Sequence, residues 1–407
     1  MTTCSQHQNH AHKLWGTIYG IMDIIGWRYF TMSRNGISIL AVGDPASELY
    51  RDNGPVSASW LKRGGIPAHV EIVPWAEYAG MVFGELESGT GRYDIAMLPG
   101  FFWLPSMADK GWLLPVPADS GPEDILPSLW DELFFGGRRY LFPAFAEAQT
   151  VIYRRDLAET AGFGILPSPL PVSLFMDVAK ALHDPPRLFG TQLKGGTAES
   201  FPEWLPFLAS RGGSLFGKNE EVLFDSAAGL DSLRDMLALA RLSAPDVHLS
   251  DNETVNALVR EGKVGIVNHW SGQLGPLMDP RSNPYADRYG FTYLEHPWAT
   301  VWSFGINAAS GNPEAALAWA AHATNGEHDA LQGGISGSPV RRGSYGRDVK
   351  PWYQAVLGAL ERKNSFPSFV RFADMAGSLY AMVTDVLAGS RAPEAALRET
   401  AARCSTT

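Results

Sequence analysis

Carboxylates and aromatic rings stand at the ends of predicted strands, which is where α/β proteins bind ligands. Asp44 follows one short apolar run, and Trp270 ends another. Phe101, Phe102 and Trp103 come directly after a third run and its Pro-Gly turn. An aromatic ring covers the apolar C–H face of a sugar, and carboxylates bind its hydroxyls. The pattern therefore favours a site for a hydroxylated small molecule, with Phe102 facing it and Phe101 and Trp103 packing beneath the loop.

Glu147 is a second candidate carboxylate, and it interrupts the otherwise apolar extended segment FPAFAEAQTVIY, residues 142–153. A buried carboxylate is costly unless it has a hydrogen-bond partner or a ligand. We interpret Glu147 as a ligand contact, and Gln149, on the same strand face, as a structural hydrogen-bonding group. For Asp44 the alternative is to cap the following helix, and one carboxylate can perform both roles.

Six further ligand-binding candidates have a structural role as the alternative. They are Glu203, Trp204, Asn268, Trp298, Trp302 and Arg371. Glu203 and Trp204 open one predicted helix, where one of them is expected to reach the ligand and Trp204 suits the core equally well. Trp298 and Trp302 share a strand face with Thr300, and Trp302 is the stronger candidate of the two.

Asn268 and Arg371 are the candidates whose structural alternatives are strongest. Asn268 shares the strand face of the stacking candidate Trp270, but an internal hydrogen bond explains it as well. Arg371 suits a surface or inter-lobe contact, or an acidic group on the ligand. If the ligand is acidic, Arg371, Arg341 and His269 are the residues expected to bind its charge.

Composition limits the classes of partner. The chain has 407 residues, 45% of them apolar, which is enough for two lobes with their own cores. Charged residues make up 19% and the net charge is −10, which argues against a nucleic-acid partner and against a polybasic membrane contact.

Motifs for common catalytic chemistry are missing. No GxGxxG follows a strand, and there is no phosphate-binding GxxxxGK[ST] loop, no HExxH and no GxSxG. Cys4 and Cys404 are the only cysteines, so a zinc knuckle is excluded and their pairing stays open. No metal, no cofactor and no enzymatic activity are expected. The alternative is a glycoside-processing enzyme that uses Glu147 with a second carboxylate, Asp44 or Glu203.

Residues 1–36 form a poorly defined N-terminal extension. An apolar stretch within it is interrupted by Asp23, and no small-residue cleavage site follows, so no export signal is recognisable. His7, His10 and His12 are interpreted as part of a polar tail, with weak metal binding as the alternative.

From residue 37 onward, apolar runs alternate with amphipathic segments. Strands are predicted at 37–42, 68–73 and 94–98 with helices between them, which is typical of a doubly wound, mostly parallel sheet. A long extended segment then passes through 142–153 and predicts a hinge crossing between two α/β units. A later helix is predicted to have Asn312 as its N-cap, with Gly326 just beyond its end.

Seven blocks, in order, resemble the bacterial extracellular solute-binding protein family that includes maltose- and maltodextrin-binding proteins. They are ILAVGDP, SGTGRYDIAML, FPAFAEAQTVIYRRDL, WLPFLASRGGSLF, EGKVGIVNHW, SFGINAASGN and LAGSRAPEAAL. The resemblance covers about residues 37–402 and implies that Glu147 binds the ligand and Trp270 stacks on it. Pro45 stands where maltose-binding members have a Lys, and the aromatic cluster 101–103 replaces a single Trp, so maltodextrin specificity does not carry over.

The resemblance implies a type II, two-lobe α/β fold that closes on one solute, usually a sugar, an oligosaccharide or a polyol. Lobe one is expected to comprise 37–143 and 296–340, and lobe two 144–295 and 341–407, with hinges near 142–150 and 295–302. The implied partners are the small-molecule solute and the transmembrane subunits of an ABC permease. The expected protein is a periplasmic monomer.

Overall fold

The computed structural model describes residues 36–117, 124–196, 198–364 and 368–406, and these belong to one compact unit. Predictions for the N-terminal extension, its histidines and Cys4 lie outside the described residues. Among the described residues, no helix has both the length and the apolar character needed to cross a membrane.

The described chain alternates strands and helices. Its strands are β1 (Ile37–Val42), β2 (Ala68–Val73), β3 (Ile95–Pro99), β4 (Leu113–Leu114), β5 (Phe134–Phe135), β6 (Arg138–Arg139), β7 (Leu141–Arg154), β8 (Ile266–Trp270), β9 (Tyr289–Thr292) and β10 (Ala299–Asn307). Its α-helices are α1 (Pro55–Lys62), α2 (Trp75–Ser88), α3 (Gly100–Asp109), α4 (Pro127–Trp130), α5 (Arg155–Thr160), α6 (Val172–Leu182), α7 (Ser200–Ser210), α8 (Ala227–Ala240), α9 (Asn252–Arg260), α10 (Leu274–Leu277), α11 (Pro313–Ala323), α12 (Gly326–Ile335), α13 (Tyr353–Glu361), α14 (Phe372–Leu387) and α15 (Pro393–Thr406). Short 3₁₀ helices, among them Pro45–Tyr50 and Ser271–Gln273, connect several of these elements.

The main sheet has the strand order β2-β1-β3-β10-β7-β8, with β9 on the second half of β7. The predicted α/β class is confirmed, and the sheet is mixed. β1 pairs in parallel with β2 and β3, whereas β10 is antiparallel to both β3 and β7. β8 and β9 are likewise antiparallel to β7. β7 is buried along its 14 residues, which explains why its sequence reads as a continuous apolar run rather than an alternating one.

Two clusters of buried side chains form the core. The first includes Ile39 and the second includes Trp204. β7 contributes to both, since Phe145 packs in the first cluster and Val151 in the second. A long strand shared by two cores is consistent with a hinge crossing, and the predicted lobe boundaries remain a prediction.

One predicted helix end differs from the structure. Asn312 occupies the N-cap position of α11, but its side chain donates to the Gly36 carbonyl oxygen instead of capping the helix. Gly326 does not lie in a loop but begins α12, because the Asn325 side chain accepts from the backbone N–H groups of Glu327 and His328. An effective cap outweighs the weak helix propensity of a glycine in the first turn.

Candidate functional site

A cavity of about 460 Å³ opens beside the carboxyl ends of β1, β2 and β3. The aromatic and polar residues that line it are Asp44, Trp75, Phe83, Phe102, Trp103, Glu147, Glu199, Asn252, Trp270, Gln273, Thr300, Trp302 and Tyr380. They come from segments far apart in sequence, and the sheet brings them together. In the β7–β10 ladder Glu147 lies opposite Thr300, and in the β7–β8 ladder Gln149 lies opposite Trp270.

Asp44 and Glu147 form a carboxyl pair at the base of the cavity. One oxygen of Asp44 accepts from the Ala46 backbone N–H at 2.8 Å, so Asp44 caps the 3₁₀ helix Pro45–Tyr50, as its alternative interpretation predicted. Its other oxygen accepts from the Gln273 side-chain amide at 3.2 Å. Glu147 accepts from the Gly272 backbone N–H at 3.3 Å.

The surroundings of both carboxyls favour their protonated forms. Burial raises the pKa of Glu147 well above its usual range, and the neighbouring Asp44 charge raises it further. Burial also raises the pKa of Asp44, to about 6, while hydrogen bonds from Ala46 and Glu147 act to lower it. The pKa of Glu147 is the more strongly raised of the two, so Glu147 is the carboxyl that more strongly favours the protonated form. Together they offer both an acceptor and a donor, which is what a hydroxyl group needs because it donates and accepts.

Three tryptophans, Trp75, Trp103 and Trp302, form one side of the cavity, which we call the aromatic wall. Trp75 stacks on Trp103 with ring centroids 5.9 Å apart and an interplanar angle of 18°. Trp302 meets Trp75 edge to face at 5.6 Å and Trp103 at 6.2 Å. These offset and edge-to-face arrangements are the favoured ones for aromatic pairs. The rings hold one another in place, so this wall is formed before any ligand arrives.

Glu199, Asn252 and Trp270 form the opposite side, which we call the acidic wall. The Trp270 indole N–H donates to Glu199 at 2.7 Å, and the Asn252 amide donates to the other Glu199 oxygen at 2.9 Å. Burial raises the pKa of Glu199, opposed by the nearby Lys194 charge and by the Trp270 hydrogen bond. Hydrogen bonds, rather than ring packing, therefore set the position of Trp270.

Few polar contacts join the two walls directly. The Trp75 indole N–H donates to the Ala198 carbonyl oxygen at 3.2 Å, and Gln273 reaches Asp44. Phe102 spans the gap at one end, where its ring stacks on Phe372 at 5.6 Å. The walls therefore face each other across a closed cleft.

The structure brings half of the predicted site residues to this cavity. Those that line it are Asp44, Phe102, Trp103, Glu147, Trp270 and Trp302. Trp103, expected beneath the loop, is 8% exposed and belongs to the aromatic wall. The three aromatics of the 101–103 cluster begin α3 rather than occupying a loop, so helical geometry turns successive rings in different directions.

The other predicted site residues lie away from the cavity. Trp204 is fully buried and its indole N–H donates to Ser232 at 2.7 Å. Glu203 is buried against Lys194, with 3.4 Å between Nζ and Oε2. Arg371 pairs with Glu220 at 3.0 Å on the protein surface.

Phe101, Trp298 and Asn268 are also buried outside the cavity lining. Phe101 meets Trp298 edge to face at 4.9 Å. Asn268 is 1% exposed on β8. Strand parity grouped Trp298 with Trp302, but β10 begins at Ala299, so Trp298 lies outside the strand and the parity rule does not apply to it.

Several lining residues were not predicted, and their sequence signals differ. Trp75 follows β2 directly, so the strand-end rule that selected Asp44 also applies to it. Gln273 and Tyr380 carry no such signal. Gln273 lies in the 3₁₀ helix Ser271–Gln273, and Tyr380 lies in the long helix α14 but is not one of its buried residues. Glu199 immediately precedes α7, where a carboxylate is ordinarily interpreted as favourable to the helix N-terminus.

Comparisons with known proteins identify the architecture. A family model described as "Bacterial extracellular solute-binding protein" matches residues 49–328. The chain is 26% identical over 293 residues to a mannitol-binding protein of Pseudomonas aeruginosa, covering 67% of each chain.

Solved structures of ABC transporter solute-binding proteins have the same fold. One from Thermotoga lettingae, bound to α-D-tagatose, superposes with a TM-score of 0.82 at 21% identity, covering 92% of this chain and 99% of that one. One from Agrobacterium radiobacter, in complex with ribitol, gives a TM-score of 0.80 at 21% identity, covering 93% and 100%. The predicted two-lobe, type II fold is confirmed by these neighbours.

Proposed function

This chain belongs to the family of bacterial extracellular solute-binding proteins, and we propose that it captures one neutral polyol or monosaccharide for an ABC importer. The observation that carries this proposal is the meeting of the carboxyl groups of Asp44 and Glu147 with tryptophan rings in one cavity. Rings cover C–H faces, and the carboxyl pair serves hydroxyls as acceptor and donor. A hydroxylated carbon skeleton needs both at once.

The cavity favours a small solute. At about 460 Å³ it falls in the lower part of the range, roughly 300–1,000 Å³, that small-molecule pockets occupy. The contacts of Trp75 with Ala198 and of Gln273 with Asp44 join the walls, which suits a single sugar unit or a linear polyol better than a long oligosaccharide.

The charges around the cavity favour a neutral solute over a sugar acid. None of the described residues that line it is Lys, Arg or His. The cations proposed for an acidic ligand lie elsewhere, since Arg371 pairs with Glu220 and Arg341 pairs with Asp124. His269 is fully buried, and burial holds its pKa well below the usual range, so it remains neutral.

The relatives support the same class of solute. One is named for mannitol, and two solved neighbours are bound to tagatose and ribitol. All three compounds carry several hydroxyls on a short carbon chain and no charged group.

The surroundings of Asp44 and Glu147 argue against the glycosidase alternative. Retaining enzymes hold their two carboxyl groups about 5–5.5 Å apart and inverting enzymes roughly 6.5–9.5 Å apart, so that a glycosidic bond fits between them. Both oxygens of Asp44 already accept hydrogen bonds, from Ala46 and Gln273, and the two carboxyls lie close enough to perturb each other's pKa. Glu203, the other proposed partner, is buried against Lys194 outside the cavity. A receptor that leaves its solute unchanged fits this geometry better.

The transport cycle follows from the two walls. Solute binds to the aromatic wall of an open form, and rotation about the β7 and β10 segments brings Trp270 and Glu199 over it. Hinge closure around a ligand is the motion known for periplasmic binding proteins. The solute drives closure only by contacting the closed form better than the open one. The closed receptor, a periplasmic monomer in this proposal, then docks on the permease.

A ligand screen tests the proposal. Thermal unfolding is followed with D-mannitol, ribitol, D-tagatose, maltose and D-gluconate, and positive compounds are measured by calorimetry. We expect saturable one-to-one binding of a polyol or monosaccharide, with a rise in apparent stability that grows with the logarithm of ligand concentration. Tight binding of maltose or gluconate instead, or turnover of a glycoside, would contradict the proposed solute class.

A further inference from the structure

An ion pair lies buried behind the acidic wall. The side chains of Lys194 and Glu203 are both fully buried, with Lys194 Nζ 3.4 Å from Glu203 Oε2. Neither residue lines the cavity. Nζ also lies 3.5 Å from the Asn268 carbonyl oxygen on β8, two residues before the strand ends at Trp270.

Lys194 contacts the indole ring of Trp270, which lines the cavity. Its Nζ lies 5.1 Å from the centroid of the Trp270 ring, within the range of a cation–π interaction. Trp270 lines the cavity and Lys194 does not, so the ammonium contacts the ring from the protein side. Glu199 holds the indole N–H from a second direction. The orientation of Trp270 thus depends on two charged groups.

The Lys194 ammonium also shifts the pKa values of the titratable groups around it. Its positive charge lowers the pKa of Glu199 and of Glu203 against the effect of burial, which raises Glu203 to about 7. It also helps to keep His269, on the same strand, neutral. The negative charge of Asp251 raises the pKa of Glu199. Without Lys194, both glutamates would favour the protonated form, and Glu199 would be a weaker acceptor for the Trp270 N–H.

Stability does not explain why an ion pair is buried here. Removing two charges from water costs about as much as their attraction returns, and apolar replacements of similar volume are often neutral or stabilising. A buried pair beneath a ligand-facing ring instead suits a role in geometry. We propose that Lys194, paired with Glu203, is a positioning residue that holds Trp270 and Glu199 in the geometry that binds the solute. This inference rests on the proposed function, in which Trp270 covers the solute.

The first test reads Trp270 without any solute. The protein is labelled with 5-fluorotryptophan, and the Trp270 resonance is assigned by its disappearance in Trp270→Phe. We expect the Lys194→Met/Glu203→Gln variant, which removes both charges at similar volume, to shift this resonance. We also expect the wild-type resonance to move with pH near 7 and the Glu203→Gln resonance not to. A Trp270 resonance that is the same in wild type and the double variant would overturn the proposal.

The second test measures affinity for D-mannitol by calorimetry in a double-mutant cycle. The Lys194→Met/Glu203→Gln variant is expected to bind about tenfold more weakly, with no loss of thermal stability. In a Trp270→Ala background the same pair of changes should have a much smaller effect, because the ring is gone and Lys194 can act only through Glu199. Unchanged affinity, or an equal effect in both backgrounds, would overturn the role assigned to Lys194.

The control is an ion pair distant from the cavity. Arg154, buried at the end of β7, pairs with Asp156 at 2.6 Å, and Arg154→Met/Asp156→Asn should leave both D-mannitol affinity and the Trp270 resonance unchanged. If wild type binds none of the polyols and sugars, the proposed function fails, while the fluorine resonance still decides whether Lys194 positions Trp270.

Discussion

The two walls of the cleft present aromatic rings to the same cavity, but different forces hold them. On the aromatic wall, Trp75, Trp103 and Trp302 pack on one another, and Trp302 also stacks on Phe145 in the first core. On the acidic wall, Trp270 is only partly buried and is positioned by Glu199 and Lys194. The aromatic wall is a continuation of the first core, whereas Trp270 packs only partly against the second core and is also held by charged groups.

The difference indicates that the two walls have different roles in solute binding. Ring packing is worth the same at any pH and leaves little freedom, so the aromatic wall suits a preformed platform for the solute. Charged hydrogen bonds depend on protonation and can be rearranged at modest cost. The acidic wall therefore suits the part of the site that moves and discriminates between solutes.

The largest expected effect is on the aromatic wall. Trp302→Ala removes a ring that is 9% exposed and surrounded by four other rings, so the free energy of unfolding should fall by about 3–5 kcal/mol. Solute binding should be lost with it. Denaturant unfolding measures the first quantity and calorimetry the second. Trp302→Phe serves as the control and should recover part of the stability; a loss below about 1 kcal/mol for the alanine variant would show that this wall is not a continuation of the core.

The corresponding change on the acidic wall should reduce solute affinity strongly but protein stability only slightly. Trp270→Ala is expected to weaken solute binding about 30-fold, yet to lower the free energy of unfolding by less than about 2 kcal/mol because the ring is only partly buried. Trp270→Phe keeps a ring but loses the N–H that donates to Glu199. Its solute affinity and its free energy of unfolding should therefore lie between those of wild type and Trp270→Ala. If Trp270→Ala destabilises the protein as much as Trp302→Ala does, the two walls do not differ in the way described.

The carboxyl pair between the walls predicts a pH dependence. Because the pKa of Asp44 is raised in the folded protein to about 6, protonation stabilises the fold. That stabilisation is fully present below the unfolded-state value near 3.8 and is lost as pH rises through about 6. Asp44→Asn should flatten this profile and raise the stability of the solute-free protein at pH 7 by about 1–3 kcal/mol, while solute affinity falls because an acceptor is gone. Thermal unfolding between pH 4 and 8 measures the effect.

Glu147→Gln is the matched control for Asp44→Asn. An amide resembles the protonated carboxyl, and the pKa of Glu147 is raised well above its usual range, so this variant should change neutral-pH stability little. In wild type, solute affinity should decrease as pH falls through about 6, when Asp44 takes up a proton. An affinity that is constant from pH 5 to 8 would show that the ionised Asp44 makes no contact with the solute.

The smallest effect is expected from the contacts that join the walls. Gln273→Ala removes the hydrogen bond from the acidic side of the cleft to Asp44, a contact worth about 0.5–1.5 kcal/mol. The solute-free protein should populate the open form more, with a larger radius of gyration in small-angle scattering, and saturating solute should restore the closed value. The Trp75→Phe variant, which loses the bond to Ala198 but keeps a ring, should behave in the same direction.

Local signals in the sequence were sufficient for most secondary-structure elements. The strands predicted at 37–42 and 68–73 agree with β1 and β2 residue for residue. Hydrophobic periodicity is set by neighbours along the chain, so it survives without knowledge of the fold. The sheet pairing was less predictable, because the antiparallel insertion of β10 between β3 and β7 depends on the path of the chain between the two cores.

The candidate site likewise has features that the sequence predicts and features that only the fold determines. The sequence by itself determined that Asp44 and Trp270 stand at strand ends and that Glu147 interrupts an apolar strand, and all three do line the cavity. Only the tertiary structure decided that Trp204 belongs to the core while Trp75 faces the cleft, and that Asp44 and Glu147 lie close enough to perturb each other's pKa. The physical reason is that residue type and strand position are local properties, whereas burial and pKa depend on groups that approach from distant parts of the chain.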